Sequence, residues 1–386
     1  MRRLLPTIVL AFLISAVVIA VTPGRPSAPT VTIVSVPDEG IQPDAAIDRT
    51  GTLHLLYFKG SPGAGDLYYV RQKRGETAFS RPVRVNSVAG SAVATGSVRG
   101  GQLALGRDGL IHVAWHASAP VGVQSDKRPG VFYTRSTDGG ASFEPQRDVT
   151  LWTTNLDGGT VAADDRGMVY VAWHAMGSSP GESHRTAYVA RSDDDGRHFA
   201  REAPATDAPI GACGCCGLRA MTDAHGALHL LYRAATDDVH RDAIWLMKPP
   251  GQPPRAPVRL HEWELKACPM STFALARDGA RMAAAWETDR QIYETSLEPG
   301  TGEFAPPVRV EARGTAKHPS IAVNAAGDRL IAWTEGTAWA RGGTLSWELR
   351  DRENRPIASA ADAANVPVWG LVSAVARPDG SFVVFH

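Results

Sequence analysis

Along most of the chain the apolar residues come in short runs, broken by Gly, Pro, Asp or Asn, and a helical period is nearly absent. One phrase recurs: a Gly-containing turn, a short β-rich run, and an aromatic residue followed by one exposed-type residue. It runs from Gly51 to Tyr57, Gly109 to Trp115, Gly167 to Trp173, Gly226 to Tyr232, Gly279 to Trp286, Gly327 to Trp333 and Gly380 to Phe385. The aromatic anchors are 58, 58, 59, 54, 47 and 52 residues apart. Each copy sits in a longer unit. A strand of small apolar residues precedes the turn, as from Gln102 to Gly106. A Tyr- and Val-rich strand follows, as in Leu67 to Val70 and Val131 to Thr134. A fourth closes the unit, as in Phe79 to Val85 and its near copy Phe304 to Val310. Four short strands repeated at this interval predict an all-β fold, a β-propeller of four-stranded blades. Seven anchors predict seven blades; six blades with an irregular end is the alternative. The last copy stops two strands into its blade, at His386. Residues 31–36 read as a strand without a blade of their own, so they are expected to complete the last blade and close the ring.

Composition adds an address. Met1, Arg2 and Arg3 precede an apolar run from Leu4 to Val21, and Pro23, Gly24, Pro26 and Pro29 break it. Residues 1–29 therefore read as a signal peptide or an N-terminal membrane anchor with its linker, and 30–386 as one propeller domain delivered outside the cytoplasm, secreted or periplasmic. With 44% hydrophobic residues in 386 the chain is long enough for a large core. Lys+Arg and Asp+Glu both number 40, so no basic surplus argues for nucleic acid. A small-molecule or glycan ligand is the expected partner.

Two turns between third and fourth strands carry Ser-x-Asp-x-Gly-x-x-Phe: Ser136, Asp138, Gly140, Phe143, and Ser192, Asp194, Gly196, Phe199. The Asp carboxylate suits turn N–H groups, the Gly suits a positive φ, and the aromatic suits packing beneath. Two matches at equivalent places in successive blades resemble the Asp-box (BNR) repeat of the sialidase superfamily. The resemblance covers nearly the whole body through fold motifs. It implies that these turns are structural and that the functional face is the opposite one. That face is built from the loops between strands two and three and the loops leading into each inner strand.

On that face the residue after each anchor is expected to point into the top of the ring: Phe58, His116, His174, Arg233, Glu287, Thr334 and His386, with Glu335 adjacent. The starts of the inner strands add Asp44, Arg99, Asp157, Arg219 and His318. His, Arg and carboxylate side chains converging on one axis are what a polar-ligand site requires, although a solvated channel lining uses the same residue types. The resemblance implies Arg99, Arg219 and Arg233 as guanidinium forks for a substrate carboxylate, and position on the same face makes His116, His174 and His318 further candidate substrate contacts. It implies Glu287, Glu335 and Asp157 as catalytic acid/base groups in a glycoside hydrolase. The stretch comparable to the family's Arg-Ile-Pro reads Gly40 to Pro43, and no Tyr is placed as a nucleophile; Tyr293 reads as a core residue.

The most unusual local feature is Cys213, Cys215 and Cys216 within four residues, leading into blade four. Cys268 and Met270 hold the same place in blade five. Register puts the two loops side by side. Disulfides are the plainest expectation, one of them joining the loops. A soft-metal site for copper or zinc, using Cys213, Cys215, Cys216, Cys268 and Met270, is the sharper one, and a redox role is the third. Two functional classes follow: an exported enzyme acting on an acidic glycan, or a non-catalytic propeller binding a glycan, a soft metal or a protein.

Overall fold

A computed structural model describes residues 28–97, 100–117, 130–177, 179–298 and 302–386. Arg99 and nearly all of the leader lie outside the described residues. Among the described residues the chain forms seven sheets arranged as consecutive blades. In each of the first six, successive strands pair antiparallel from the inside outwards. Blade one, for example, runs Ile41–Ile47, Leu53–Ser61, Ala64–Gln72 and Val83–Arg84. The outer edge of blade five is split between Glu303–Phe304 and Val308–Arg309. The seventh blade has three strands. Ser373–Ala376 and Phe382–Phe385 are joined by Val31–Val34, which pairs parallel with Phe382–Phe385 in the register Val31 to Phe382 through Val34 to Phe385. The N-terminal strand thus closes the ring as the sequence predicted, and the six-bladed alternative falls. No helix among the described residues is long and apolar enough to cross a membrane.

The core is seven interblade layers. Each hydrophobic cluster mixes residues of two neighbouring blades, and the last joins Val383 and Phe385 of blade seven to Leu55 and Tyr57 of blade one. The anchors fill these layers: Tyr57, Trp115, Trp173, Tyr232 and Trp286 are fully buried. Phe385 stands one residue nearer its turn glycine than Tyr57 or Trp115 does. Strand side chains alternate between faces, so the offset turns Phe385 towards blade one rather than blade six.

The seven inner strands enclose a channel of about 600 Å3 running the length of the ring. Rungs cross between neighbouring inner strands: the Asp44 carboxylate accepts from Leu103 N (2.7 Å), Thr160 Oγ1 from Ala220 N (3.0 Å), Ser320 Oγ from Ala374 N (2.9 Å) and Ser373 Oγ from Ala45 N (3.0 Å). These bonds satisfy backbone donors that an inner strand, lacking a neighbour on its channel side, would leave to water.

The Ser-x-Asp-x-Gly turns lie at the other end of the blades from the cysteine loops. Asp138 Oδ1 accepts from Ala141 N and Ser142 N (both 3.0 Å) and from Ser136 Oγ (2.8 Å); Ser142 Oγ donates to Asp138 Oδ2 (2.6 Å). Asp194 repeats the pattern with His198 N (2.9 Å) and Ser192 Oγ (2.7 Å). Gly140 and Gly196 have φ of 85° and 76°, and a Cβ on either would run into the ring of Tyr69 or Tyr133 in the preceding blade. Phe143 and Phe199 meet those same tyrosines edge-on, at 5.5 and 4.8 Å between centroids. Beneath, His54 Nδ1 bonds Tyr69 Oη (2.7 Å) and His112 Nδ1 bonds Tyr133 Oη (2.6 Å). In blades one and two the histidine of the repeated phrase is therefore the partner of a buried tyrosine hydroxyl, and the turn of the next blade covers the pair; in blade four His229 accepts from Trp245 Nε1 instead (3.1 Å).

Candidate functional site on the top face

The residues following the anchors do not face the channel, which corrects the sequence expectation. Phe58, His174, Arg233, Glu287 and Thr334 are fully buried and His116 nearly so. The reason is geometric. Both faces of a blade pack on neighbouring blades, so a second-strand side chain points at one neighbour or the other, and only the innermost strand reaches the axis. Arg233 points at blade five, donating to Ser271 Oγ (3.2 Å), to Arg241 O (2.8 Å) and to Glu287 O. Glu287 points at blade six, 3.4 Å from Lys317 Nζ, and accepts from Arg290 N (3.2 Å). Burial raises the pKa of Glu287 against the pull of Lys317 and Arg233. Neither residue is placed to touch a ligand. Glu335 is held by Trp333 Nε1 (2.9 Å) and Arg313 N (3.3 Å). His386 bonds Ser35 Oγ (3.1 Å) and Asn365 O (2.9 Å), fastening the ring closure.

Of the inner-strand candidates, Arg219 crosses the channel to Asp44 Oδ1 (2.8 Å) and Gln102 Oε1 (3.1 Å). Its guanidinium is committed to an internal carboxylate. His318, 3.5 Å from Thr272 Oγ1, is held neutral by burial and by Lys317, its pKa lowered to about 3. Among the described residues neither ring nitrogen of His174 has a hydrogen-bond partner, and its ring lies against Tyr232, whose hydroxyl is also unpartnered. Burial, then Arg185, lowers the His174 pKa to about 3.

Asp157 does open onto a hollow. It lines a space of about 270 Å3 on the top face with Gly96, Glu182, Arg185, Gly214, Cys215, Met270 and Trp339. Gly96, Met270 and Trp339 are shared with a smaller adjoining recess lined by Lys317, His318, Arg341 and Trp369. Arg185 lies flat over Gly214, with Nη1 3.6 Å from Asp157 Oδ2 and no hydrogen bond among the described residues. Glu182 accepts from Arg241 Nη1 (2.8 Å) and from Gly214 N (3.3 Å). Trp339 is exposed and meets Trp369 edge-on, 4.6 Å between centroids. Trp339 thus shares one hollow with two carboxylates and a guanidinium, and Trp369 extends the aromatic surface into the adjoining recess. Sequence reasoning missed Glu182, Arg185, Trp339, Arg341 and Trp369. The available signal was a Trp standing in a polar loop, away from any anchor position, and a charged loop after the second strand of blade three.

The cysteine loops do meet here. Cys215 and Cys268 form a disulfide between the loops leading into blades four and five, with Cα atoms 6.4 Å apart. Cys213 and Cys216 are buried thiols, so one of the two expected bonds is present. Cys213 Sγ lies 3.3 Å from Cys215 Sγ and 3.3 Å from Cys216 Sγ. Burial raises the Cys216 pKa, but the Cys213 hydrogen bond, Arg233 and Ser271 outweigh it and bring it to about 7. The Cys213 thiol is pushed up, first by its hydrogen bond to Cys216 and then by burial. Ligand atoms of Glu182, Cys213, Cys215 and Cys268 lie within 4.8 Å of one another. With Cys215 and Cys268 joined, two of those sulfurs have no thiolate to offer a metal.

The arrangement has relatives in shape. The chain is similar to the Hadza microbial sialidase Hz136 (15% identity, 82% of this chain and 69% of that one, TM-score 0.51). It is similar also to the intramolecular trans-sialidase of Ruminococcus gnavus (9%, 82% and 95%, 0.54). A third match is the Penicillium chrysogenum α-L-arabinanase (13%, 85% and 99%, 0.56). The fold is a sialidase-like propeller. No family model and no curated protein sequence matches. At these identities the sialidase-like propeller shares its scaffold with such enzymes, and chemistry has to be argued from its own side chains.

Proposed function

We propose that this sialidase-like propeller binds a glycan in the top-face hollow, with an acidic sugar as the preferred unit. The observation that carries the reading is Trp339 lining that hollow together with Asp157, Arg185 and Glu182, with Trp369 packed edge-on against it in the adjoining recess. An indole face suits the C–H face of a sugar ring, and carboxylate and guanidinium groups suit its hydroxyls. Arg341, in the adjoining recess, and Arg185 are the cations for a sugar carboxylate. The reading keeps the protein outside the cytoplasm, where a disulfide such as Cys215–Cys268 persists. The Ser-x-Asp-x-Gly turns are read as Asp boxes with a structural role.

Hydrolysis is the second reading, favoured by two carboxylates, Asp157 and Glu182, in one hollow. Burial of Glu287 and the internal pairing of Arg219 and Arg233 argue against catalysis in the manner of sialidases, so binding comes first. Purified protein screened against acidic and neutral oligosaccharides, with product analysis on every hit, tests both. Binding without turnover supports the first reading, released sugar supports the second, and no binding of any glycan overturns both.

A further inference from the structure

The four sulfurs form a continuous path from solvent to interior. Cys268 is exposed, Cys215 is half-buried, and Cys213 and Cys216 are buried. Each neighbouring pair is either bonded or 3.3 Å apart. Cys213 touches both the disulfide and the second thiol, and so stands between two alternative partners, Cys215 and Cys216. We infer that the cysteines form a thiol–disulfide exchange unit in which the Cys213–Cys216 pair reduces the Cys215–Cys268 bond, moving the disulfide from between two loops to within one.

The steps balance internally. Cys213 Sγ attacks Cys215 Sγ, its proton passes to the Cys216 thiolate, and the Cys215–Cys268 bond breaks with Cys268 leaving as a thiolate into water. Cys216 then attacks Cys213 Sγ, expels Cys215 and hands its proton to the sulfur released. Two electrons have moved from Cys213 and Cys216 to Cys215 and Cys268, and one disulfide, one thiol and one thiolate stand at both ends. Several features equip the site for this. The Arg233 guanidinium and Ser271 Oγ, 3.6 Å from Cys216 Sγ, stabilise an anion on Cys216. Cys213 Sγ already lies 3.3 Å from Cys215 Sγ, and the leaving sulfur is the exposed one. Exchange frees the blade-four loop from the blade-five loop and leaves the Cys215 thiol on the wall of the hollow. The inference does not depend on what the hollow binds.

Protein purified without thiol reductant, with its copper and zinc content measured, is treated with N-ethylmaleimide at mildly alkaline pH. It is then quenched in acid, digested without reduction and mapped by mass spectrometry. The expected result is maleimide on Cys268 and Cys215 together with a Cys213–Cys216 linkage. In Cys213→Ser the label on Cys268 is lost. In Cys216→Ser exchange stops at Cys213–Cys215, with Cys268 alone labelled. Three wild-type results would overturn the inference, whether or not the variants fold. One is a Cys215–Cys268 bond intact throughout while Cys213 and Cys216 are labelled or silent. Another is both bonds present together. The third is four thiolates held by stoichiometric copper or zinc.

Discussion

The two ends of the ring are built from the same blades and are wired in opposite ways. At the end with the Ser-x-Asp-x-Gly turns, the repeated polar groups meet partners within their own blade or on a neighbouring one. Asp138 and Asp194 take turn N–H groups, His54 and His112 take tyrosine hydroxyls, and the next blade's Phe seals the pair. At the other end the loops vary in length and content. Among the described residues Arg185 Nη1 and both ring nitrogens of His174 lack hydrogen-bond partners, Trp339 faces solvent, and two thiols sit beside a disulfide. Periodic, satisfied polar groups hold blades together. Unsatisfied, aperiodic ones are where a ligand has something to add.

That contrast can be broken most severely at Gly196. Ala there combines a positive φ with a Cβ driven into Tyr133, so Gly196→Ala is expected to cost ~3 kcal/mol. Denaturant unfolding measures it, and a cost below 1 kcal/mol, roughly a Gly-to-Ala propensity effect, would mean that the interblade lock is loose.

Acid provides the next test. His112, His174 and His318 are neutral in the folded ring, with pKa lowered mainly by burial to about 4, about 3 and about 3. Unfolded, each takes a proton near pH 6.5, so the unfolded state binds more protons below that value. Stability then falls with pH from about 6.5 towards 3 to 4, by up to ~1.4 kcal/mol per unit for each ring. His174→Leu should flatten this limb with little change at pH 7, because its ring nitrogens have no partners to leave behind. His112→Leu should flatten it too but cost ~1 kcal/mol at pH 7, since the Tyr133 hydroxyl is stranded. Equal costs at pH 7 would erase the difference between the two ends.

Asp138→Ala and Asp194→Ala are expected to cost less than Gly196→Ala, each losing a turn acceptor at ~1–2 kcal/mol. Glycan affinity and cysteine reactivity should be unchanged. Because the turn hydrogen bonds outweigh burial and hold the Asp138 carboxyl down at about 2, its contribution is complete above the usual carboxylate range and is lost as pH falls towards 2. A large change in ligand affinity with the fold intact would assign these turns to the site.

The fold was legible because its cause repeats. Seven anchors, a turn Gly before each and an orphan strand were enough to give blade number and closure. The meeting of the two cysteine loops followed from the same register. The site residues were harder to read. Counting positions along the second strand treats the strand end as though it faced the axis, whereas packing on both sides points Arg233 and Glu287 into interblade layers. The residues that do line the hollow and its adjoining recess, Glu182, Arg185, Trp339 and Trp369, stand on or at the ends of connections without a common length, where no repeat gives the register.

The most direct test titrates wild type, Trp339→Ala and Asp194→Ala in parallel with the best acidic oligosaccharide from the screen, by calorimetry. Trp339 is exposed, so its loss should leave the fold intact while weakening binding by about tenfold or more, roughly the 1.4 kcal/mol of an aromatic contact. Asp194→Ala should bind as wild type does. Affinity that survives Trp339→Ala, or falls with Asp194→Ala in a folded ring, would contradict a glycan site on the top face.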